Sequence, residues 1–194
     1  MKTLILAEKD VKRLLSMEEA IEAVELAFAE EGIKRAQSSP KAHLPYNKYN
    51  GDLRIASSYL EGLDISAVEV VNVHEDNRTR SKMPTVMGTV IMREPKNGSP
   101  IAIIGGTHLT DLRTGAVGAV AAKHLARKDS KIVGLIGAGA QAKTQLTGLL
   151  TVYGSLEEIR VWSRTKPTRQ EFLAYIKKEQ GNRITRDIPF KQAG

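Results

Sequence analysis

"KIVGLIGAGAQAKTQL", residues 131–146, runs from an apolar segment through clustered glycines into a polar, helix-compatible stretch. It contains G-x-G-x-x-A at Gly137, Gly139 and Ala142, a form of the dinucleotide-binding fingerprint. Each position has a physical task. Gly137 permits a tight turn out of a strand. Gly139 has no Cβ, so a pyrophosphate can approach the backbone. Ala142 keeps the following helix close to its strand. The new helix start offers free N–H groups and partial positive charge to phosphate. A glycine turn alone is a weak signal, since a plain strand-to-helix turn can look the same. Here the order strand (132–137), helix (Gln141–Tyr153), strand (Glu158–Arg164), helix (about Pro167–Gln180) and a further strand at Arg183–Ile188 predicts parallel βαβ units.

The end of the second strand distinguishes the cofactors. About 20 residues beyond the glycines, an NAD site presents Asp or Glu to the ribose hydroxyls. This chain reads "VWSRT", with Ser163, Arg164 and Thr165 in that place. A guanidinium flanked by hydroxyls suits a 2′-phosphate. NADP(H) is therefore favoured, with NAD(H) possible. The bland alternative for Arg164 is a solvated strand-end residue.

Upstream, the pattern differs. Ser16-x-x-Glu19 is a capping box, and Met17, Ala20, Ile21, Val24, Ala27 and Phe28 recur at helical spacing. They predict a helix over Met17–Glu31, with Gly32 as its C′ residue. Residues 3–6 read as a short strand. "KAHLPY", "DLRIASSYL", "DISAVEVVNV", "TVMGTVIMRE" and "PIAIIGG" then follow as strand-like runs, with Asn97-Gly98 marking a hairpin. "TDLRTGAVGAVAAKHLARKDS" predicts a helix capped by Thr110 or Asp111. Its small residues, Gly115 and Gly118 among them, suit close packing against another element. The predicted class is α/β: an α+β domain with a mostly antiparallel sheet over 1–129, including this bridging helix, then part of a Rossmann-type domain over 130–194.

Composition narrows the function classes. The 194 residues are 41% hydrophobic and 26% charged, with no cysteine and a net charge of +7. Disulfide and thiolate chemistry are excluded. The basic residues are scattered and aromatics are few, so no nucleic-acid partner is expected. No apolar run reaches the ~20 residues that span a bilayer. No membrane partner is expected, and the expected location is the cytoplasm. His43, His74, His108 and His124 lack metal-ligand spacing, so no metal is expected. The Glu30-Glu31 and Glu157-Glu158 pairs read as solvated faces.

"GDLRIA", "VVNVHEDN", "PTVMGTVIM", the run 107–146 and "VWSRT" together resemble the ornithine cyclodeaminase/mu-crystallin family, which includes archaeal-type alanine dehydrogenases and ketimine reductases. The resemblance covers nearly the whole chain. It implies hydride transfer at the C–N bond of an amino or imino acid, and a homodimer formed through the N-terminal domain. It implies that Arg54 and Arg113 hold the substrate carboxylate. Thr85, Thr114, Gly137, Gly139, Ala140, Gln141, Ser163, Arg164 and Thr165 are the implied cofactor contacts.

Two departures stand out. Active members carry lysine where this chain has Glu69, on the substrate side. The charge reversal implies a different substrate, sole reliance on the two arginines, or reduced activity. A one-residue shift would instead turn Glu69 to the other face of its strand. Members also run considerably longer, so the catalytic acid/base is expected beyond Gly194, and the chain alone is expected to be inactive. The alternative is a non-catalytic or vestigial protein binding NADP(H) or a small ligand.

Overall fold

A computed structural model of the chain describes residues 2–154 and 156–180. They form two compact units. Of the described residues, 2–16 and 26–110 belong to the first, and 17–25, 111–154 and 156–180 to the second. The expected strand at Arg183–Ile188 lies outside the described residues.

The first unit is built on one sheet. Its strands are β1 (Leu4–Leu6), β2 (Ala36–Ser38), β3 (Ala42–Tyr46), β4 (Gly51–Leu60), β5 (Ile65–His74), β6 (Val86–Arg93) and β7 (Pro100–Gly105). The spatial order is β1-β7-β6-β5-β4-β2, with β3 also on β4. Every pair is antiparallel except β1 with β7. The Asn97-Gly98 signal lies in a connection with Gly98 at φ 70°, and the ladder shifts register at Met92/Arg93. That connection is longer than a two-residue turn because strand pairing ends at Arg93 and Pro100.

Helix α1 (Glu8–Leu14) follows β1 and has no strong apolar periodicity in the sequence. Its start is fixed locally, because the Asp10 carboxylate accepts the Ala7 N–H at 3.0 Å. Helix α2 (Met17–Gly32) contributes to both units. Met17, Ala20 and Ile21 are buried as the periodicity predicts, whereas Phe28 stays 44% exposed. Gly32 is the last helical residue rather than the C′ glycine. Lys34 takes the left-handed conformation instead, at φ 61°. Its N–H donates to the Glu31 carbonyl and the Arg35 N–H to the Glu30 carbonyl, each at 2.9 Å, which is a Schellman closure. Glu30 is not a solvated acid. It is buried, and it accepts from Arg35 at 3.0 Å and from the Gly62 N–H at 2.9 Å.

Helix α4 (Thr107–Leu125) follows the one-turn α3 (Asn77–Arg80) in chain order and also belongs to both units. It begins three residues before the expected cap, so Thr110 lies inside it, with its N–H on the Gly106 carbonyl. The true cap comes from far away in sequence. Glu8 accepts the N–H groups of Thr107 at 2.7 Å and His108 at 3.0 Å. These are two of the donors a helix start leaves unpaired.

The second unit holds β8 (Ile132–Ile136), α5 (Ala140–Tyr153), β9 (Glu158–Trp162) and α6 (Lys166–Gln180). β8 and β9 are parallel. Phe172, Leu146, Leu150, Ile159 and Ile176 form its fully buried core. The small residues act as expected. A Cβ on Gly115 would strike the Thr144 backbone of α5, and one on Gly148 would lie 2.7 Å from the Gly115 carbonyl. Glu158 is buried beside Arg160 at 3.0 Å, so of this pair only Glu157, paired with Lys131, matches the solvated reading, as the exposed Glu31 does in the other pair. Among the described residues no helix is long and apolar enough to cross a membrane.

Candidate functional site

The glycine turn has the geometry its spacing demands. Gly137 sits at φ 107°, a conformation that disfavours side-chain-bearing residues. Its N–H donates to the Trp162 carbonyl at 2.8 Å, tying the turn to the end of β9. Gly139 is the N-cap of α5. A Cβ at Gly137 or Gly139 would meet nothing within 4 Å among the described residues. These glycines therefore answer to the open side of the turn rather than to packing. Ala140 begins α5 and Ala142 packs against the buried core. A 14-residue helix thus starts at a turn whose Cβ directions are open among the described residues. The donor set fits the pyrophosphate of a dinucleotide.

Gln141 reaches back from α5. Its amide donates to Asp111 on α4 at 2.6 Å, and Gln145 donates to the Thr114 carbonyl at 2.8 Å. The side chain of Gln141 is thus held by Asp111, and what it offers the turn is backbone. Arg113 is exposed and makes no ion pair among the described residues.

At the end of β9, the "SRT" residues divide. The strand stops at Trp162, so Ser163, Arg164 and Thr165 form the turn into α6 rather than its last strand residues. Ser163 is buried, and its hydroxyl donates to the Thr165 carbonyl at 3.1 Å. The Thr165 hydroxyl accepts the Thr168 N–H at 3.4 Å and contacts the Thr168 hydroxyl at 2.7 Å, capping α6. Arg164 is exposed, as is Thr165, and makes no ion pair among the described residues.

In the first unit, the ladder register settles where Arg54 and Glu69 point. Arg54 pairs with Val71 and Ala56 with Glu69, without a shift along β4 and β5. Partners across an antiparallel ladder share a face, and so do residues two apart. Arg54 and Glu69 therefore lie on one face at diagonal positions. Diagonal Cα atoms stand about 7–8 Å apart, within reach of long side chains. The register slip that would turn Glu69 away is absent. Thr85, half-exposed, precedes β6, and its carbonyl accepts the His74 N–H at 2.8 Å.

Arg54 is pre-oriented. Its Nε lies 3.1 Å from both Asp52 oxygens and its Nη2 lies 2.7 Å from Oδ2, while Nη1 keeps no partner among the described residues. His43, opposite Arg54 in the ladder, adds a contact to Asp52 at 3.1 Å. The hydrogen bond from Arg54 holds the Asp52 carboxyl below its ordinary range against desolvation, with a lesser contribution from His43. The same bond raises the Arg54 guanidinium. Glu69 is half-buried and accepts from the Thr110 hydroxyl at 2.7 Å. Sequence reasoning missed Asp52, although "GDLR" places it on the face of Arg54 by strand alternation. It also read Thr110 as a helix cap. Among the described residues no cluster of His, Asp or Glu could hold a metal ion. A cleft of about 510 Å³ in the second unit, lined by Glu18, Glu25, Lys123 and Tyr153 among others, contains none of the expected site residues.

The model of the ornithine cyclodeaminase/mu-crystallin family matches residues 1–187. The chain belongs to that family. It is 40% identical over 175 residues to the alanine dehydrogenase of Archaeoglobus fulgidus, covering 90% of this chain and 52% of the relative. Among solved structures it is similar to the Thermococcus litoralis Delta(1)-pyrroline-2-carboxylate reductase in complex with NADH and L-proline. There the TM-score is 0.87 at 38% identity, covering 94% of this chain and 56% of that one. An archaeal alanine dehydrogenase dimer with bound NAD gives a TM-score of 0.87 at 36% identity, with 97% and 56% covered. The chain thus spans about half the length of the relatives it matches. The mixed α/β fold, with a mostly antiparallel sheet and a small parallel one, is that of the N-terminal part of these family structures.

Proposed function

We propose that this chain carries the substrate and dinucleotide elements of an oxidoreductase acting on the C–N bond of an amino or imino acid. The functional division follows residues 1–129, for substrate and dimerisation, and 130–194, for the dinucleotide. The observation that carries the reading is the turn at Gly137 and Gly139. Its Cβ positions are open, and the N-terminus of α5 faces that opening. The similarity to structures holding NADH with L-proline and NAD supports it.

The bound nicotinamide supplies a hydride acceptor or donor. The chain's own residues supply placement. Backbone N–H groups at Ala140 and Gln141 take the pyrophosphate. Thr85 and Thr114 are proposed to line the cofactor side. Arg54, through the Nη1 edge that Asp52 leaves open, and Arg113 hold the substrate carboxylate by charge-assisted bonds. Such binding fixes the reacting carbon and nitrogen, which is the larger part of catalysis by positioning. NADP(H) is the proposed preference. Its support is reduced to Arg164, because Ser163 and Thr165 spend their hydroxyls on the α6 turn.

We also propose that the active form includes polypeptide beyond residue 194, which supplies the acid/base. One face of the β8–β9 sheet supports this, with Ile136 90% and Trp162 41% exposed. Parallel sheets are ordinarily covered on both faces. A homodimer is proposed through the first sheet, whose face opposite Arg54 leaves Ile5, Leu44 and Ile103 exposed.

The test is a chimera joining residues 1–187 to the part of Archaeoglobus alanine dehydrogenase that follows the matched region. Absorbance at 340 nm then follows hydride transfer with L-alanine, L-proline and Delta(1)-pyrroline-2-carboxylate. Turnover dependent on Arg54 is expected. A folded chimera that binds cofactor yet transfers no hydride to or from any of these compounds favours a binding protein.

A further inference from the structure

The face of the first sheet that carries Arg54 has an uneven charge balance. Among the described strand residues, the charged groups on that face are Asp52, Arg54 and Glu69, with His43 beside Asp52. Asp52 and Arg54 neutralise each other at 2.7 Å, and His43 faces Asp52. Glu69 makes no ion pair among the described residues, and its Oε1 accepts from the neutral Thr110 hydroxyl. It is half-buried, and a carboxylate removed from water without a countercharge is costly. Thr110 is itself buried and fixes the carboxylate through one oxygen. Oε2 remains available for a further donor.

We infer that Glu69 is a specificity residue that receives a positively charged side-chain group of the substrate, so that the site selects a cationic amino or imino acid over neutral and acidic ones of the same length. The inference rests on the proposed function, in which Arg54 anchors the substrate carboxylate. The diagonal placement of Arg54 and Glu69 gives the face one guanidinium edge for a carboxylate and one carboxylate oxygen for a cation. A ligand with those charges at its two ends satisfies both. A second carboxylate would meet Glu69 and be repelled.

Three amino acids with one five-carbon skeleton test this: L-ornithine, L-norvaline and L-glutamate, which end in an ammonium, a methyl and a carboxylate. Binding to the intact chain with NADPH present is measured by calorimetry. Ornithine is expected to bind about tenfold tighter than norvaline, a factor typical of one partly desolvated ion pair, with glutamate weakest. Glu69→Gln keeps an oxygen for the Thr110 hydroxyl and removes the charge. It should bring ornithine and norvaline within about threefold of each other. Glu69→Lys should reverse the order. Equal binding of ornithine and norvaline by the native chain overturns the inference while leaving carboxylate anchoring intact. So does a preference for ornithine that survives in Glu69→Gln. Binding of none of the three removes the anchoring itself, and the inference with it.

Discussion

Asp52 grips Arg54 from two residues away on the same strand face, with Nη2 2.7 Å from Oδ2 and Nε 3.1 Å from both carboxylate oxygens. The grip leaves the Nη1 edge of the guanidinium turned away from Asp52. An arginine fixed in this way loses less rotamer freedom when it meets a carboxylate. Asp52→Asn keeps the shape and removes the charge. In the active chimera it should raise KM for the amino-acid substrate about threefold to tenfold, with kcat little changed, as loss of uniform binding requires. Because Arg54 holds the Asp52 carboxyl below its ordinary range, this contribution should persist from neutral pH down through the ordinary aspartate range. It should fade only at more acidic pH. Steady-state kinetics across pH check both statements.

Glu8 is the cap of a helix that begins 99 residues later in the chain. Partial burial pushes its carboxyl up, but the N–H groups of His108 and Thr107 outweigh this and hold it below the ordinary glutamate range. The stabilisation is therefore full above the unfolded-state pKa and is lost as pH falls through the lower folded value. Glu8→Ala should cost about 1 kcal/mol at pH 7, in the range of other lost helix caps. Urea unfolding at pH 7 and at strongly acidic pH measures the difference, which should shrink in acid.

The contact of α4 with α5 depends on the absence of side chains. At Gly115 a Cβ would meet the Thr144 backbone, which cannot rotate out of the way. Gly115→Ala should destabilise the chain by about 1–3 kcal/mol despite the better helix propensity of alanine. Gly134→Ala, whose Cβ meets nothing within 4 Å among the described residues, serves as the control in the same thermal melt.

Arg164 carries what remains of the NADP(H) preference. Arg164→Gln should weaken NADPH about tenfold or more and NADH little, the signature of a lost charge on a 2′-phosphate. Equal loss for both cofactors would place Arg164 elsewhere in the site. Quenching of Trp162, the chain's one tryptophan, offers a direct readout.

The parts of the fold legible in the sequence were those set by short-range physics. The glycine turn, the parallel β8 and β9 and the small-residue face of α4 follow from local spacing. Helix α1 was not legible, since its seven residues bury Val11 and otherwise show little apolar pattern. The start of α4 was misplaced because its cap, Glu8, is distant in the chain. Lys34 rather than Gly32 closes α2, because the Schellman bonds to Glu30 and Glu31 hold a lysine in the left-handed region. At the candidate site, residue types and faces were readable. That Ser163 and Thr165 would turn their hydroxyls to the α6 turn was not, since a strand end and a helix cap both favour such residues.

Cofactor binding at the glycine turn is tested most directly by calorimetry on Gly139→Val with NADPH and NADH. Gly139 lies at φ −92°, ψ −163°, an extended conformation a valine adopts, and its Cβ direction is open. The variant should melt as the native chain does, yet bind either cofactor at least about a hundredfold more weakly, because the new side chain fills the space a pyrophosphate needs. Undiminished binding by a normally folded Gly139→Val would contradict the assignment of the turn.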